Sequence, residues 1–370
     1  MTSFNETRSR SRRVRKLVAA AAAAGTGAVL VAAPAFSAAA SATAAGAHQS
    51  SQVASIRLGA KGSTEGAVLR PASPTLTAYW NTHAAKAKVL NPVVSPGVSK
   101  NYTPQSTATP GGPAVRVAGT TGALQPRLSH FSPQFGSTGQ PWYGSPYAAP
   151  ATTTGKVFFK DHTGGNWVCS GSLVNSNGHD LVITAGHCVY GTAGGEIPAG
   201  ETWHSNWVFA PDYSNGYAPY GYWYAKQLWT LTNYINNDDE QDDLGAALLW
   251  PNSNGVNAVS LLGGQGIAWN YSSTESIYDF GYPAAAPFNG QTLQYCTGTS
   301  GWGWLDAMEF LPSNFTGGSS GGPWLAGFNG YWGYVNSVND ATGYFFYPGQ
   351  MAGLYFGNNA GNLYNTVANL

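Results

Sequence analysis

From residue 150 onward the chain is a succession of short runs of β-branched, aromatic and aliphatic residues. Each is about a strand long and is cut off by glycine, asparagine, serine or proline: KVFFKD, NWVCSGSLV, DLVITAGHCV, NWVFAPDY, LGAALLW, SIYDFGYP, TLQYCTG, PWLAGF and YWGYVNSV. Such runs suit the pleated surface of a sheet, and their turn-rich separators suit antiparallel neighbours. No stretch beyond 150 reads as a long amphipathic helix; a short one is expected only over the C-terminal GNLYNTVANL. The expected fold class is all-β, and residues 151–370 are enough for two packed six-stranded antiparallel β-barrels.

The first 150 residues are of another kind. Arg8, Arg10, Arg12, Arg13, Arg15 and Lys16 precede an apolar run from Leu17 to about Ala33, then alanine-rich sequence with A-x-A steps. That layout is a secretory signal peptide, expected over 1–42, so the mature protein is expected to be extracellular. Arg12-Arg13 after Ser11 is like a twin-arginine pair, but Arg15 stands where such signals have an apolar residue, so general secretion is expected. The run is too short and too small-sided for a membrane anchor, and no other stretch is a span candidate. Residues 43–150 are rich in Ala, Ser, Thr, Pro and Gly, and segments such as SKNYTPQSTATPGGPAV lack the periodicity to build a core. A largely non-globular pro-segment or linker is expected there.

The formal net charge of zero conceals two opposite halves. Residues 1–150 carry fourteen Lys and Arg against Glu6 and Glu65, a net +12, whereas 151–370 carry three Lys and no Arg against fifteen acids, a net −12. A basic pro-segment is expected to hold the acidic domain in cis. The arginine-free, acidic domain argues against nucleic acid as a partner, because neutralising phosphates requires clustered Lys and Arg.

The stretch TGGSSGGPW, Thr316 to Trp324, fits G-x-S-x-G, the strand-to-helix elbow that carries a nucleophilic serine, and equally fits a G-x-S-G-G-P turn. The elbow requires an acid and then a histidine after the serine. The seven histidines stand at 48, 83, 130, 162, 179, 187 and 204, so none follows Ser320. The other order, His then Asp then Ser, is available: His187 ends the apolar run of ITAGHCV, and acids lie between it and Ser320. Thr184-Ala185-Gly186-His187-Cys188 together with the Gly318–Pro323 turn resembles the chymotrypsin-like (trypsin-fold) serine proteases, over about residues 155–340. Among bacterial members the resemblance is closest to the glutamyl-endopeptidase type.

The resemblance implies a serine endopeptidase working on a protein or peptide substrate, without cofactor or metal, made as a zymogen and monomeric. Ser320 is the implied nucleophile, His187 the general base and Asp243 the acid that orients it. Asp243 is preferred to Asp242 because D-L-G-A-A-L, Asp243 to Leu248, comes close to the family's acid-plus-apolar-strand pattern. The N–H groups of Gly318 and Ser320 form the implied oxyanion hole, and Cys169 stands where the family places the partner of Cys188. Asn314, Asn336 and Ser337 are the implied pocket residues, polar and uncharged, which supports neither Lys/Arg nor Glu selectivity. Cys296 is then left without a partner.

Plainer readings stand beside these. Asp238, Asp239, Glu240, Asp242 and Asp243 also make a solvated loop or a calcium site. His162, His179 and His204 lack zinc-ligand spacing. The excess of Trp and Tyr serves packing or a sugar-binding face. The alternative function is a catalytically silent binding module on the same fold, gripping a cell-wall polysaccharide or a protein, although no triad member is missing.

Overall fold

The computed structural model describes residues 53–57, 74–89, 111–124, 136–142, 149–191, 203–237, 239–303, 308–342 and 348–370. The expected signal peptide and Asp238 lie outside them. Six strands form the first half of the domain: β1 (Thr154–Lys160), β2 (Asn166–Val174), β3 (Leu181–Ala185), β4 (Ser205–Pro211), β5 (Trp223–Leu231) and β6 (Leu244–Leu249). They pair antiparallel around a ring in the order β1-β2-β3-β6-β5-β4, and β4 returns to β1, so the barrel is closed. Both faces of these strands are covered. Val157, Phe159, Cys169, Val182 and Ala247 join one core made only of first-half residues, while their neighbours Phe158, Val168, Ile183 and Ala246 join a second core that runs into the other half. Burial on both faces is why the runs are continuously apolar instead of alternating.

The second half repeats the order with β7 (Ser276–Gly281), β8 (Gln294–Thr299), β9 (Met308–Pro312), β10 (Pro323–Ala326), β11 (Tyr334–Thr342) and β12 (Gln350–Leu354). Ladders join β8-β7-β10-β11-β12-β9. No ladder joins β8 to β9 among the described residues, so this sheet curls without closing. Of the two six-stranded barrels expected, one is closed and one is open. The expected C-terminal helix spans Asn358–Val367 and buries Leu363 and Val367, with Tyr364 against Trp269 at a ring distance of 5.8 Å. Among the described residues no helix is long and apolar enough to cross a membrane.

Pieces of the region expected to be largely non-globular take regular structure on the domain. Val53–Arg57 pairs with β5, Lys88–Val89 runs parallel to β2, Val115–Val117 pairs with Gly266–Trp269, and Gln140–Pro141 pairs with β8. Helix Pro74–His83 inserts Trp80, wholly buried, whose Nε1 donates to Asn206 O at 2.8 Å. Arg116 lies between the rings of Tyr271 and Tyr334, 4.1 and 4.8 Å away. The composition of 43–150 is too poor in apolar residues for a core of its own, and these pieces gain order by pairing with edges the domain already has.

Candidate active site

The register of one ladder brings the histidine to its acid. Leu244 pairs with Ala185, so the residue before β6 and those after β3 lie side by side. Gly186–Cys188 forms a single 3₁₀ turn, and Gly186 N–H donates to Asp243 O at 2.9 Å. His187 is bound twice by the Asp243 carboxylate: its main-chain N–H donates to Oδ1 at 2.6 Å and its Nδ1 to Oδ2 at 2.7 Å. A proton on Nδ1 leaves Nε2 as the ring's free lone pair. Burial alone would push the Asp243 carboxyl up. The adjacent His187 and the hydrogen bonds it receives outweigh burial and hold it below the ordinary carboxylate range. Asp242 faces elsewhere, accepting from Asn359 Nδ2 at 2.7 Å and Asn233 Nδ2 at 3.0 Å. Asp239, on the same turn, accepts from Gln241 N–H at 3.0 Å, so amide donors face both carboxylates.

The turn carrying Ser320 is wedged between the two halves. Gly318 and Gly321 have φ of 97° and 78°, a region that favours glycine. A Cβ on Gly318 would stand 2.8 Å from Tyr282 O. Ser170, buried on β2, ties this turn down from the first barrel. Its N–H donates to Ser320 O at 2.8 Å, its Oγ donates to Gly318 O at 2.9 Å, and that Oγ accepts from Tyr282 N–H at 2.9 Å. Within the turn the N–H groups of Ser319, Gly321 and Gly322 are used, by Thr316 O, Asn339 O and Ser319 O. Those of Gly318 and Ser320 have no acceptor among the described residues. The Cys169–Cys188 disulfide fixes β2 to the residue after His187, and Cys188 Sγ lies 3.6 Å from Ser320 O. His187 and Ser320 thus share one small region through Cys188 and Ser170.

Two further groups on the histidine were not anticipated from the sequence. His204, fully buried, donates from Nε2 to His187 O at 2.9 Å and stacks on Phe159 at 4.2 Å. Burial holds its pKa down to about 4, so it is neutral. Asp340 Oδ1 lies 3.7 Å from His187 Nδ1. Burial, then the charge of Asp243, pushes the Asp340 carboxyl well above the usual range, the direction that favours its neutral form.

The residues expected to line the pocket sit at different depths around the serine turn. Pro323 pairs with Val338 and Trp324 with Ser337, which brings the following residues of β11 to the serine turn. Asn339 is what meets it, through Gly321 N–H to Asn339 O at 2.7 Å and Asn339 N–H to Gly322 O at 2.9 Å. Asn336 is buried, and Ser337 is buried against Gly353 and Trp324. Asn314 is half-buried and its Oδ1 accepts from Gly139 N–H at 2.7 Å. Behind the turn, Asp279 accepts from Asn339 Nδ2 at 2.8 Å and Ser313 Oγ at 3.0 Å, with Cys296 Sγ 3.5 Å away. Cys296 is a buried free thiol, and burial pushes its pKa up.

A closed barrel and a curled one in the same strand order, with a histidine–aspartate pair on a turn disulfide-linked to the strand that holds the serine turn, define a chymotrypsin-like architecture. The chain is 38% identical to the protease Anisep from Arthrobacter nicotinovorans, over 62% of its own length and 99% of that structure, with a TM-score of 0.54. It is likewise 38% identical to the thermostable serine protease AL20 from an extremophilic microorganism, over 59% of its own length and 99% of that structure, with a TM-score of 0.54. A Glu endopeptidase structure is 16% identical over 63% of this chain and 97% of its own, with a TM-score of 0.49. No protein-family model matches the chain, and no curated protein matches it. Given the identity to two proteases along almost their whole length, the chain belongs to the chymotrypsin-like serine proteases.

Proposed function

We propose that the protein is a secreted serine endopeptidase that hydrolyses peptide bonds through His187, Asp243 and Ser320. Ser320 Oγ attacks the substrate carbonyl while His187 Nε2 accepts its proton. The imidazolium that forms is stabilised by Asp243 and then protonates the leaving amine, leaving an acyl-enzyme that water hydrolyses by the same steps. The N–H groups of Gly318 and Ser320 take the oxyanion, an interaction whose loss costs about 3–4 kcal/mol of transition-state stabilisation. The observation that carries the reading is the double hydrogen bond from His187 to Asp243, 2.6 and 2.7 Å, beside a serine turn with two N–H donors that have no acceptor among the described residues.

Residues 1–42 are the export signal and 43–150 a pro-segment held in cis on the acidic domain. The 59–62% of this chain covered by the two similar proteases is about the share that 151–370 represents, which supports a mature domain of that extent. The Cys169–Cys188 disulfide supports an oxidising, extracellular destination.

The test is hydrolysis of an unfolded protein substrate by the processed chain and by Ser320→Ala. The proposal expects kcat to fall about 10⁴-fold or more, since removing a triad member leaves only binding and the oxyanion hole. An unchanged rate in Ser320→Ala would refute it. N-terminal sequencing of the secreted product tests the boundary near 150.

A further inference from the structure

Asp340 sits at an irregularity that turns it toward the histidine. In the β11–β12 ladder Asn339 pairs with Gly353 and Ala341 with Ala352, so Asp340 is the extra residue of a bulge. Bulges re-aim side chains. Here Asn339 turns to Asp279 inside the second half, with its Nδ2 at 2.8 Å, and Asp340 turns out to the interface, 3.7 Å from His187 Nδ1. One ligand-type atom from each of His187, Asp243 and Asp340 lies within 4.8 Å of the others, and all three residues are buried.

Both oxygens of Asp243 already accept from His187, so Asp243 is the ionised member. A carboxylate oxygen of Asp340 lies within 4.8 Å of one of Asp243, with both side chains buried. Two buried carboxyl groups this close disfavour double ionisation, and burial followed by the charge of Asp243 makes Asp340 the one that holds a proton.

We propose that Asp340 is a positioning residue, a neutral carboxylic acid that donates a hydrogen bond to Asp243 and fixes that carboxylate beneath His187. It keeps a single negative charge beside the imidazole. A second charge there would favour a proton on His187 and leave less of the ring in the free-base form that accepts the serine proton. The groups facing Asp340 are His187, Asp243 and, at longer range, Glu240; burial and the two acids all favour its neutral form. The inference rests on the triad reading above.

The test compares Asp340→Asn and Asp340→Ala in the full chain, with valine replacing alanine should the alanine variant not fold. Two readouts are taken: the far-downfield proton resonance of His187 Nδ1–H, and, after processing, kcat and KM on a peptide substrate. Asparagine places an N–H donor where the acid O–H was, so the resonance should persist and kcat should stay within about threefold. Alanine removes the donor, so the resonance should broaden or vanish and kcat should fall about tenfold to a hundredfold at unchanged KM, the equivalent of one hydrogen bond to a charged group. Parent-like kcat and resonance in the alanine variant, with only a lower melting temperature, would reduce Asp340 to packing and overturn the proposal. So would an asparagine variant as impaired as alanine, because the charge and not the donor would then be what matters. The resonance does not depend on turnover, so a parent chain that shows it without hydrolysing peptides defeats the triad reading separately from this one.

Discussion

Gly321 lies so close to Thr184 that a Cβ on it would land on the threonine Oγ1. That Cβ would also stand 2.6 Å from Ser170 O and 2.7 Å from Ala185 N. The residue after the proposed nucleophile therefore presses on the strand that ends at the proposed base, and φ of 78° makes a side chain unfavourable even without the crowding. Gly321→Ala should destabilise the domain by about 2–4 kcal/mol through overpacking and strain, and should move Ser320 away from His187. Urea unfolding and hydrolysis measured on the same preparation check both effects. Parent-like activity in this variant would mean that the contact does not set the site.

The Cys169–Cys188 bridge joins the strand bearing Ser170 to the turn bearing His187. Its closed loop spans a sequence separation of 19, so Cys169→Ser should cost about 3 kcal/mol in denaturant titrations on the loop-entropy estimate. Thiol titration of the described domain should give one free thiol, Cys296, when denatured without reduction, and none that reacts quickly while folded, because that thiol is buried.

His204 makes folding sensitive to acid. Its pKa is about 4 in the folded chain and 6.5 unfolded, so between these values the unfolded state binds the extra proton. Stability present above pH 6.5 should fall progressively as pH drops toward 4, by up to about 3 kcal/mol for this group. His204→Leu should flatten that part of the curve, although it also gives up the bond to His187 O and so should lower kcat. Equal slopes in both proteins between pH 4 and 6.5 would exclude His204 as the cause.

Lys156 gives the opposite end of the pH scale. It is buried on β1 with Nζ donating to Gly290 O at 2.7 Å, and burial brings its pKa from 10.5 down to about 8. Between pH 8 and 10.5 the unfolded lysine binds a proton that the folded one has released, so stability should rise with pH across that window. Lys156→Met should stabilise the chain at pH 7 by up to about 3 kcal/mol, less whatever the lost hydrogen bond contributed. Thermal melts at pH 7 and pH 10 read the difference, which should shrink at the higher pH.

The residues that were legible in the sequence are those whose neighbours are constrained by the main chain. Gly318, Gly321 and Pro323 mark the serine turn because its backbone and its crowding leave few alternatives, and Cys188 marks the histidine turn through a covalent partner. Asp340 was not legible, because a bulge changes which side of a strand a residue faces and nothing in YVNSVNDAT announces one. Which residue of β11 meets the serine turn is set by the ladder with β10, which pairs Trp324 with Ser337 and cannot be read from the sequence alone. Ser170 is an ordinary strand serine until the second half folds against it, although its place directly after Cys169 was a usable signal. Helix Pro74–His83 packs on the domain through Trp80, with Leu76 and Tyr79 beside it, three apolar side chains within a largely polar stretch.

The most direct measurement is the intact mass of the processed, folded chain after treatment with a fluorophosphonate. One covalent adduct should form, peptide mapping should place it on Ser320, Ser320→Ala should form none, and His187→Ala should react far more slowly. A folded chain that takes up no adduct, or an adduct that persists in Ser320→Ala, would contradict the assignment of Ser320 as the nucleophile.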